Sequence, residues 1–324
     1  MNENEGLLGG GWRRVARNKR YIFWFYVLNV NLAWFGAGAF NNQVHQMLDH
    51  SLLADGLVHG FDLGVLIEMF ARPDFGPPAA WAAPATHFAV YFLIATALFM
   101  PGVLQGYAST YRLPREDFFR ACGRNLWRFI RLMMVAGIVM GAVAAALFGL
   151  HGVLERKAAE STNELLVPEV RFAGLAVIFL VMTALRIWFD LAQADVVLSD
   201  QRAVRKSIGL GFRHMWLNLG RLLGGYVVTT IVAAFILLAG LWAWMMFVPA
   251  ASRGGAVFIS QLTLLLLLIP RFWQRGVAVS YYLQNMVEPI AVQPFTPAPV
   301  VSPVLGGSTP GPVIPGTPPE TQGA

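Results

Sequence analysis

Charge is what this sequence lacks most. Of its 324 residues only 13% are Asp, Glu, Lys or Arg, where a soluble domain carries roughly a quarter. So few ionised groups cannot cover a water-facing surface, and an ordinary soluble globular domain is set aside. Cysteine is nearly absent as well. Cys122 stands alone, which excludes an intramolecular disulfide and a Cys-based zinc centre. No secretory leader is visible: the first apolar run follows Arg13, Arg14, Arg17, Lys19 and Arg20, is long, and lacks a small-x-small cleavage site, so it reads as an uncleaved anchor. No catalytic motif rises above background.

What is present is apolar. Hydrophobic residues make up 56% of the chain, with 10 Trp and 23 Phe, and the mean hydropathy is +0.55. That places the chain in the membrane class. The net charge of +6 does not point to nucleic acid, because the basic residues cluster beside apolar runs, as membrane topology requires. The expected fold class is all-α: a polytopic membrane helix bundle with six transmembrane helices, amphipathic interfacial helices and a disordered Pro-rich C-terminal tail. The spans are expected at 21–40, 85–105, 129–150, 171–198, 222–247 and 254–273. Residues 1–20 form a basic head, 41–84 an acidic outer surface loop carrying two short helices, and 289–324 the Pro-rich tail. The head and the 106–128 and 199–221 loops are basic, whereas 41–84 and 151–170 are acidic. Both termini are therefore expected in the cytoplasm, with the protein in a bacterial inner membrane.

Local signals refine this. Pro101 should kink the second span. Pro114, followed by Glu116 and Asp117, marks a helix start. From there a basic amphipathic helix with Arg120, Arg124, Arg128 and Arg131 leads directly into the third span, which is rich in Gly and Ala, as close helix packing requires. Residues 199–221 repeat the theme: Ser199 or Asp200 as cap, Arg202, Arg205, Lys206 and Arg213 on one side, and Val204, Ile208, Phe212 and Met215 on the other. Residues 274–288 read as an interfacial helix. Asn125-Leu-Trp-Arg128 and Asn218-Leu-Gly-Arg221 stand at matching places before a span, and Thr96-Ala-Leu98 and Thr183-Ala-Leu185 in the spans before them. Two origins fit: a parallel duplication of spans two and three as four and five, or convergence on one physical solution.

The candidate site is Arg186, Asp190, Gln193 and Asp195, the charges and amide that sit within or just beyond a membrane-grade run. Arg186 and Asp190 are four apart and share a helix face. Ionisable residues in a membrane are functional candidates by default. The competing reading is a self-neutralised pair with a snorkelling Arg186, which is structural only. Asn29 and Asn31 in the first span read as helix–helix hydrogen-bonding groups rather than substrate contacts. In the outer loop, His45/Asp49 and Asp55/His59 have a spacing open to metal, with His50 and Asp62 nearby, yet this matches no specific zinc motif and is ordinary for surface helices. No metal and no cofactor is expected. Arg120, Arg124, Arg128, Arg202, Arg205, Lys206 and Arg213 are the expected contacts to anionic lipid headgroups, at about 1 kcal/mol each. The expected partners are the lipid bilayer and other membrane proteins, not nucleic acid. Thr296, Ser302, Thr309 and Thr317, each before Pro, lie in a tail expected to be featureless.

From Asp190 through Ala192, Ala194, Val196, Val197, Asp200, Arg202, Ala203, Arg205 and Lys206 to Ser207, the chain resembles a loose group of bacterial six-span proteins akin to the membrane domain attached to some glycerophosphodiester phosphodiesterases. The shared pattern is an Asp and small residues closing one span, a Val-rich step, an acidic turn, and a basic helix with Ala and Ser. The resemblance covers roughly residues 85–290. It implies the six-span architecture and no activity, since no phosphodiesterase domain is present. Three functions are weighed. The first is a non-enzymatic scaffold or accessory component of the membrane. The second is a transporter or channel for a small solute or lipid, with a polar path at Arg186, Asp190 and Asp195. The third is an outer-face metal-dependent enzyme using the 45–62 cluster.

Overall fold

The computed structural model describes residues 6–33, 78–161, 163, 165–200, 203–248 and 252–287. The described chain is helical throughout, with no strand among the described residues. The elements are α1 (Leu7–Arg17), α2 (20–33), α3 (Pro78–Ala108), α4 (Arg115–Ala159), α5 (Leu166–Leu198), α6 (Val204–Leu217), α7 (Leu219–Phe247) and α8 (Arg253–Asn285). Five segments are long and apolar enough to cross a membrane: Val90–Ala108, Arg115–Ala159, Leu166–Leu198, Leu219–Phe247 and Gly254–Asn285. This is the architecture of a multi-pass helical membrane protein. Of the sixth expected span, at 21–40, the helix α2 is described to residue 33 only. The outer-loop residues 41–77, with His45, Asp49, His50, Asp55, His59 and Asp62, lie outside the described residues, as do Arg202 and the tail from 288 onward.

Several boundaries differ from the sequence reading, each for a physical reason. The helix that carries the second span begins at Pro78, ahead of the apolar stretch Val90–Ala108, because proline is tolerated in a first helical turn where its missing N–H has no partner to lose. Pro114 does cap α4, which then runs unbroken to Ala159. The 199–221 segment behaves otherwise. Neither Ser199 nor Asp200 caps α6, whose N-cap is Ala203 with no side-chain bond. Asn218 divides α6 from α7, whereas Asn125, its proposed counterpart, is fully buried inside the continuous α4. The segment from 274 is not a separate interfacial helix. It continues α8 to Asn285, with Val277, Ala278, Val279, Ser280, Tyr281 and Tyr282 all buried. Apolar packing inside the bundle extends the helix past the point where hydropathy falls.

The basic head is folded into the bundle. Helix α1 lies along α8, and their backbones touch: a Cβ on Gly276 would stand 2.6 Å from the Gly11 carbonyl oxygen, and one on Gly11 2.8 Å from the Val277 backbone nitrogen. Trp273 donates its indole N–H to the Leu8 carbonyl at 2.9 Å. The arginines of the head then close the end of α3. The last carbonyls of a helix have no intrahelical donor. Here Asn18 donates to the Gly106 carbonyl at 3.2 Å and Arg14 to that of Tyr107 at 2.6 Å. Arg17 reaches the carbonyls of Ser109 and Thr110, and Arg20 that of Leu113. Cations at a helix C-terminus also oppose its dipole. Around this clamp Tyr21 stacks on Phe118 at 5.3 Å between centroids, and Phe25 meets Phe272 edge-on at 5.0 Å.

The Gly276–Gly11 crossing generates a test. Gly276→Ala must force two backbones apart, because the obstructing atom is a carbonyl oxygen and not a movable side-chain tip. A loss of about 1–3 kcal/mol is expected for such overpacking, read as a lowered melting temperature in detergent. Gly123→Ala, where an added Cβ meets nothing within 4 Å, should melt as the parent does.

Candidate functional site

Helix α5 is the axis of the bundle. It packs against α3, α4, α6, α7 and α8. Every residue from Phe189 to Val197 is buried. A helix enclosed on all sides needs small residues wherever neighbours come close, and Ala192 and Ala194 meet that need. Gly211 of α6 sits against the backbone of Trp188 and Ala192, where an added Cβ would be 3.0 Å away. The Trp188 indole donates to the Ile208 carbonyl at 2.8 Å, which fixes α6 against α5.

Two carboxylates lie within this enclosed stretch. Asp190 accepts a hydrogen bond from the Tyr226 hydroxyl of α7 at 2.8 Å, on Oδ2. The same oxygen lies 3.8 Å from the Arg186 Nε, and the Asp190 side chain is only 9% exposed against 37% for Arg186. So the i,i+4 pair forms, with its acid end deep and its base end half open. Asp195 goes elsewhere. At about 100° per residue it lies some 140° around the helix from Asp190, where the Tyr282 hydroxyl of α8 donates to it at 3.3 Å. Gln193 is buried on the Arg186–Asp190 face. The structure thus brings Arg186, Asp190 and Gln193 to one side of α5 and directs Asp195 to another.

Two further arginines belong to the first group. Arg271 and Arg275 of α8 stand close enough to Asp190 and Arg186 to interact with both electrostatically. The Arg271 guanidinium lies 5.2 Å over the Phe92 ring of α3, and Arg275 5.6 Å from the ring centre of Phe272. Beside them Gln274 donates to the Thr230 hydroxyl oxygen at 3.1 Å. The site expected from sequence includes neither Arg271 nor Arg275. The available signal was their spacing: two arginines four apart just after an apolar run share a face.

The expected lipid contacts divide. Arg120 pairs with Asp117 at 3.1 Å. Arg124 and Arg128 converge on Asp200, Arg124 at 3.9 Å and Arg128 bonding both carboxylate and carbonyl. Asp200 holds a left-handed backbone conformation (φ 54°), which Asp tolerates better than most residues. Those ion pairs join the end of α5 to α4. On α6, Arg205, Lys206 and Arg213 are exposed, and so are Phe212 and Trp216, which stack at 6.1 Å. Phe212 therefore shares the outer face with the basic residues instead of lining the inner one.

Two measurements follow. Removing the hydroxyl with Tyr226→Phe leaves a buried carboxylate oxygen short of a donor, at a cost of roughly 1–3 kcal/mol. In an Asp190→Ala background the same change should cost clearly less, because no acceptor for the hydroxyl remains there. Equal costs in both backgrounds, by thermal melting, would disprove the bond. His214 of α6 provides the second. Burial, then the neighbouring Arg213, holds its imidazole below the usual His range, against the pull of Asp195. The Tyr281 hydroxyl lies 3.4 Å from its Nδ1. A depressed folded pKa favours the neutral ring, so this contribution is complete above about pH 6.5 and fades as pH falls through the folded value. Wild type should lose more stability between pH 7.5 and 5.5 than His214→Gln does.

No three His, Cys, Asp or Glu side chains among the described residues are grouped to hold a metal ion. No family model, curated protein or solved structure matches the chain.

Proposed function

We propose that this protein is a non-enzymatic, multi-pass scaffold or accessory component of a bacterial inner membrane, working through contacts with other membrane helices. The observation that carries this reading is how little of the spanning surface the chain covers for itself. In the most apolar window of α4 only 11% of residues are buried, and the windows of α5, α7 and α8 reach 22%, 22% and 17%. Packing is concentrated around the arginine-rich end, where the head, the end of α3 and the second half of α8 meet. Along α4, Gly137, Gly141 and Gly149 leave open space where an added Cβ would stand, and Ile138 and Phe148 are exposed. Small residues on an open helix let a neighbouring helix approach closely. Arg120, Arg124 and Arg128, held by Asp117 and Asp200, and the exposed Arg205, Lys206 and Arg213 then serve the anionic headgroup layer.

A polar conduction path through Arg186, Asp190 and Asp195 finds less support. Asp190 and Asp195 face different helices and each accepts a tyrosine hydroxyl.

The test is crosslinking in native membranes. With Cys122 replaced by Ser, a single Gly141→Cys should form a defined crosslinked product, with another chain or with a second copy, on treatment with a bifunctional maleimide. A Trp188→Cys control, on an inner helix, should not. A lone monomer after purification, with no product at position 141 or at other exposed positions of α4, would end the scaffold reading.

A further inference from the structure

The basic head frames a cavity. Helix α1, the end of α3 and the last turns of α8 enclose about 500 Å³, within the size range of small-molecule sites. Arg13, Arg14 and Arg17 line it from α1, Ser109 from the end of α3, and Ser280 and Gln284 from α8. At about 100° per residue the three arginines fall within one arc of about 100°, so a single face of α1 presents them all. No acidic side chain lines the cavity among the described residues. Gly10 meets the buried Ser280 at its floor, where an added Cβ would stand 2.5 Å from the Ser280 Oγ. Arg13, Arg17 and Gln284 are exposed, so the cavity opens to the surface.

Two of the guanidinium groups are held in place before any ligand arrives. Arg14 donates to the Tyr107 carbonyl at 2.6 Å, and Arg17 to the carbonyls of Ser109 and Thr110. Bonds to neutral carbonyls orient a guanidinium and leave its charge uncancelled. Arg17 meets carbonyls and no carboxylate among the described residues. A guanidinium carries five N–H donors, so Arg17 keeps donors for a ligand. Such forks match a phosphate in planar, bidentate geometry. The cavity is roomier than a bare phosphate needs. The rest of its lining offers hydroxyls and an amide but no aromatic ring, which suits a hydroxyl-bearing body and gives a nucleobase nothing to stack on.

The position suits a ligand from the membrane surface or from water. At 1.5 Å per residue, Gln284 lies about 45 Å along α8 from Gly254, past a hydrocarbon core of about 30 Å. We infer that Arg13, Arg14 and Arg17, with Ser280 and Gln284, form a binding site for a phosphate ester of a small polyol, presented as the headgroup of an anionic phospholipid or as the free ester. The site goes beyond the scaffold reading and stands independently of it, since the head builds it and the open face of α4 takes no part.

The experiment uses the full chain, delipidated in a neutral maltoside detergent, and reads binding by titration calorimetry. The probes are dioctanoyl phosphatidylglycerol and glycerol 3-phosphate, each against its phosphate-free counterpart, dioctanoylglycerol and glycerol. At least one ester should bind ~10-fold or more tightly than its counterpart, and Arg13→Gln and Arg17→Gln should each weaken that binding about 10-fold. Arg156→Gln, an exposed position near the far end of α4 and outside the cavity, should bind as wild type. Binding of phosphatidylglycerol without glycerol 3-phosphate assigns the site to a lipid headgroup, and binding of glycerol 3-phosphate assigns it to the free ester. Arg13→Gln changes an exposed position and decides the test if Arg17→Gln, which also releases the Ser109 and Thr110 carbonyls, does not fold. The site is overturned if neither ester outbinds its counterpart, if both cavity variants bind as wild type, or if Arg156→Gln weakens binding as much as they do.

Discussion

A carboxylate enclosed by helices is the constraint on which the rest of the bundle depends. Asp190 sits within a stretch of α5 with no open side, where the loss of water makes an unpartnered charge expensive. Its hydrogen bond must come from another helix, and Tyr226 supplies it from α7. Its counter-charge comes from its own helix one turn earlier, through Arg186. Once these are in place, the relative rotation of α5 and α7 is determined. Asp195 repeats the arrangement toward α8 through Tyr282. Each carboxylate in the axis thus specifies one neighbour, which apolar contacts alone do poorly.

A second constraint acts at the end of α3. A helix that stops inside protein must find donors for its last carbonyls. Asn18 and Arg14 provide them at Gly106 and Tyr107, and Arg17 and Arg20 bond the carbonyls of Ser109, Thr110 and Leu113 in the segment that follows. The residues that topology rules count as a positive patch are here structural caps. Because Gly11 and Gly276 let α1 lie against α8, the clamp on α3 is also tied to the helix that carries Arg271 and Arg275. The head, the end of α3 and the second half of α8 form one packed unit, and the apolar spans extend from it with much of their surface open.

Much of this was legible in the chain. The length and apolarity of the spans, the start of α4 at Pro114 and the pairing of Arg186 with Asp190 follow from local rules: hydropathy, proline geometry and i,i+4 spacing. The matching Asn125 and Asn218 segments look alike in sequence and differ in space, one within a continuous helix and the other at a break. Arg124 and Arg128 read from sequence as headgroup contacts alone, and their pairing with Asp200, 72 residues from Arg128 in the chain, appears only in the fold. Such partners belong to other elements, and no periodicity within one helix reveals them.

By itself the sequence determined that the chain is helical and apolar enough to cross a membrane several times, and that a charged pair lies on one face of the fourth apolar run. These are properties of single segments, set by backbone hydrogen bonding and the partitioning of side chains from water. Tertiary structure alone decided that α8 continues past residue 273 and that Asp190 and Asp195 answer to different helices. Those facts depend on how helices are rotated about their axes and where they cross, which is settled by the fit of distant surfaces and not by any stretch of sequence read alone.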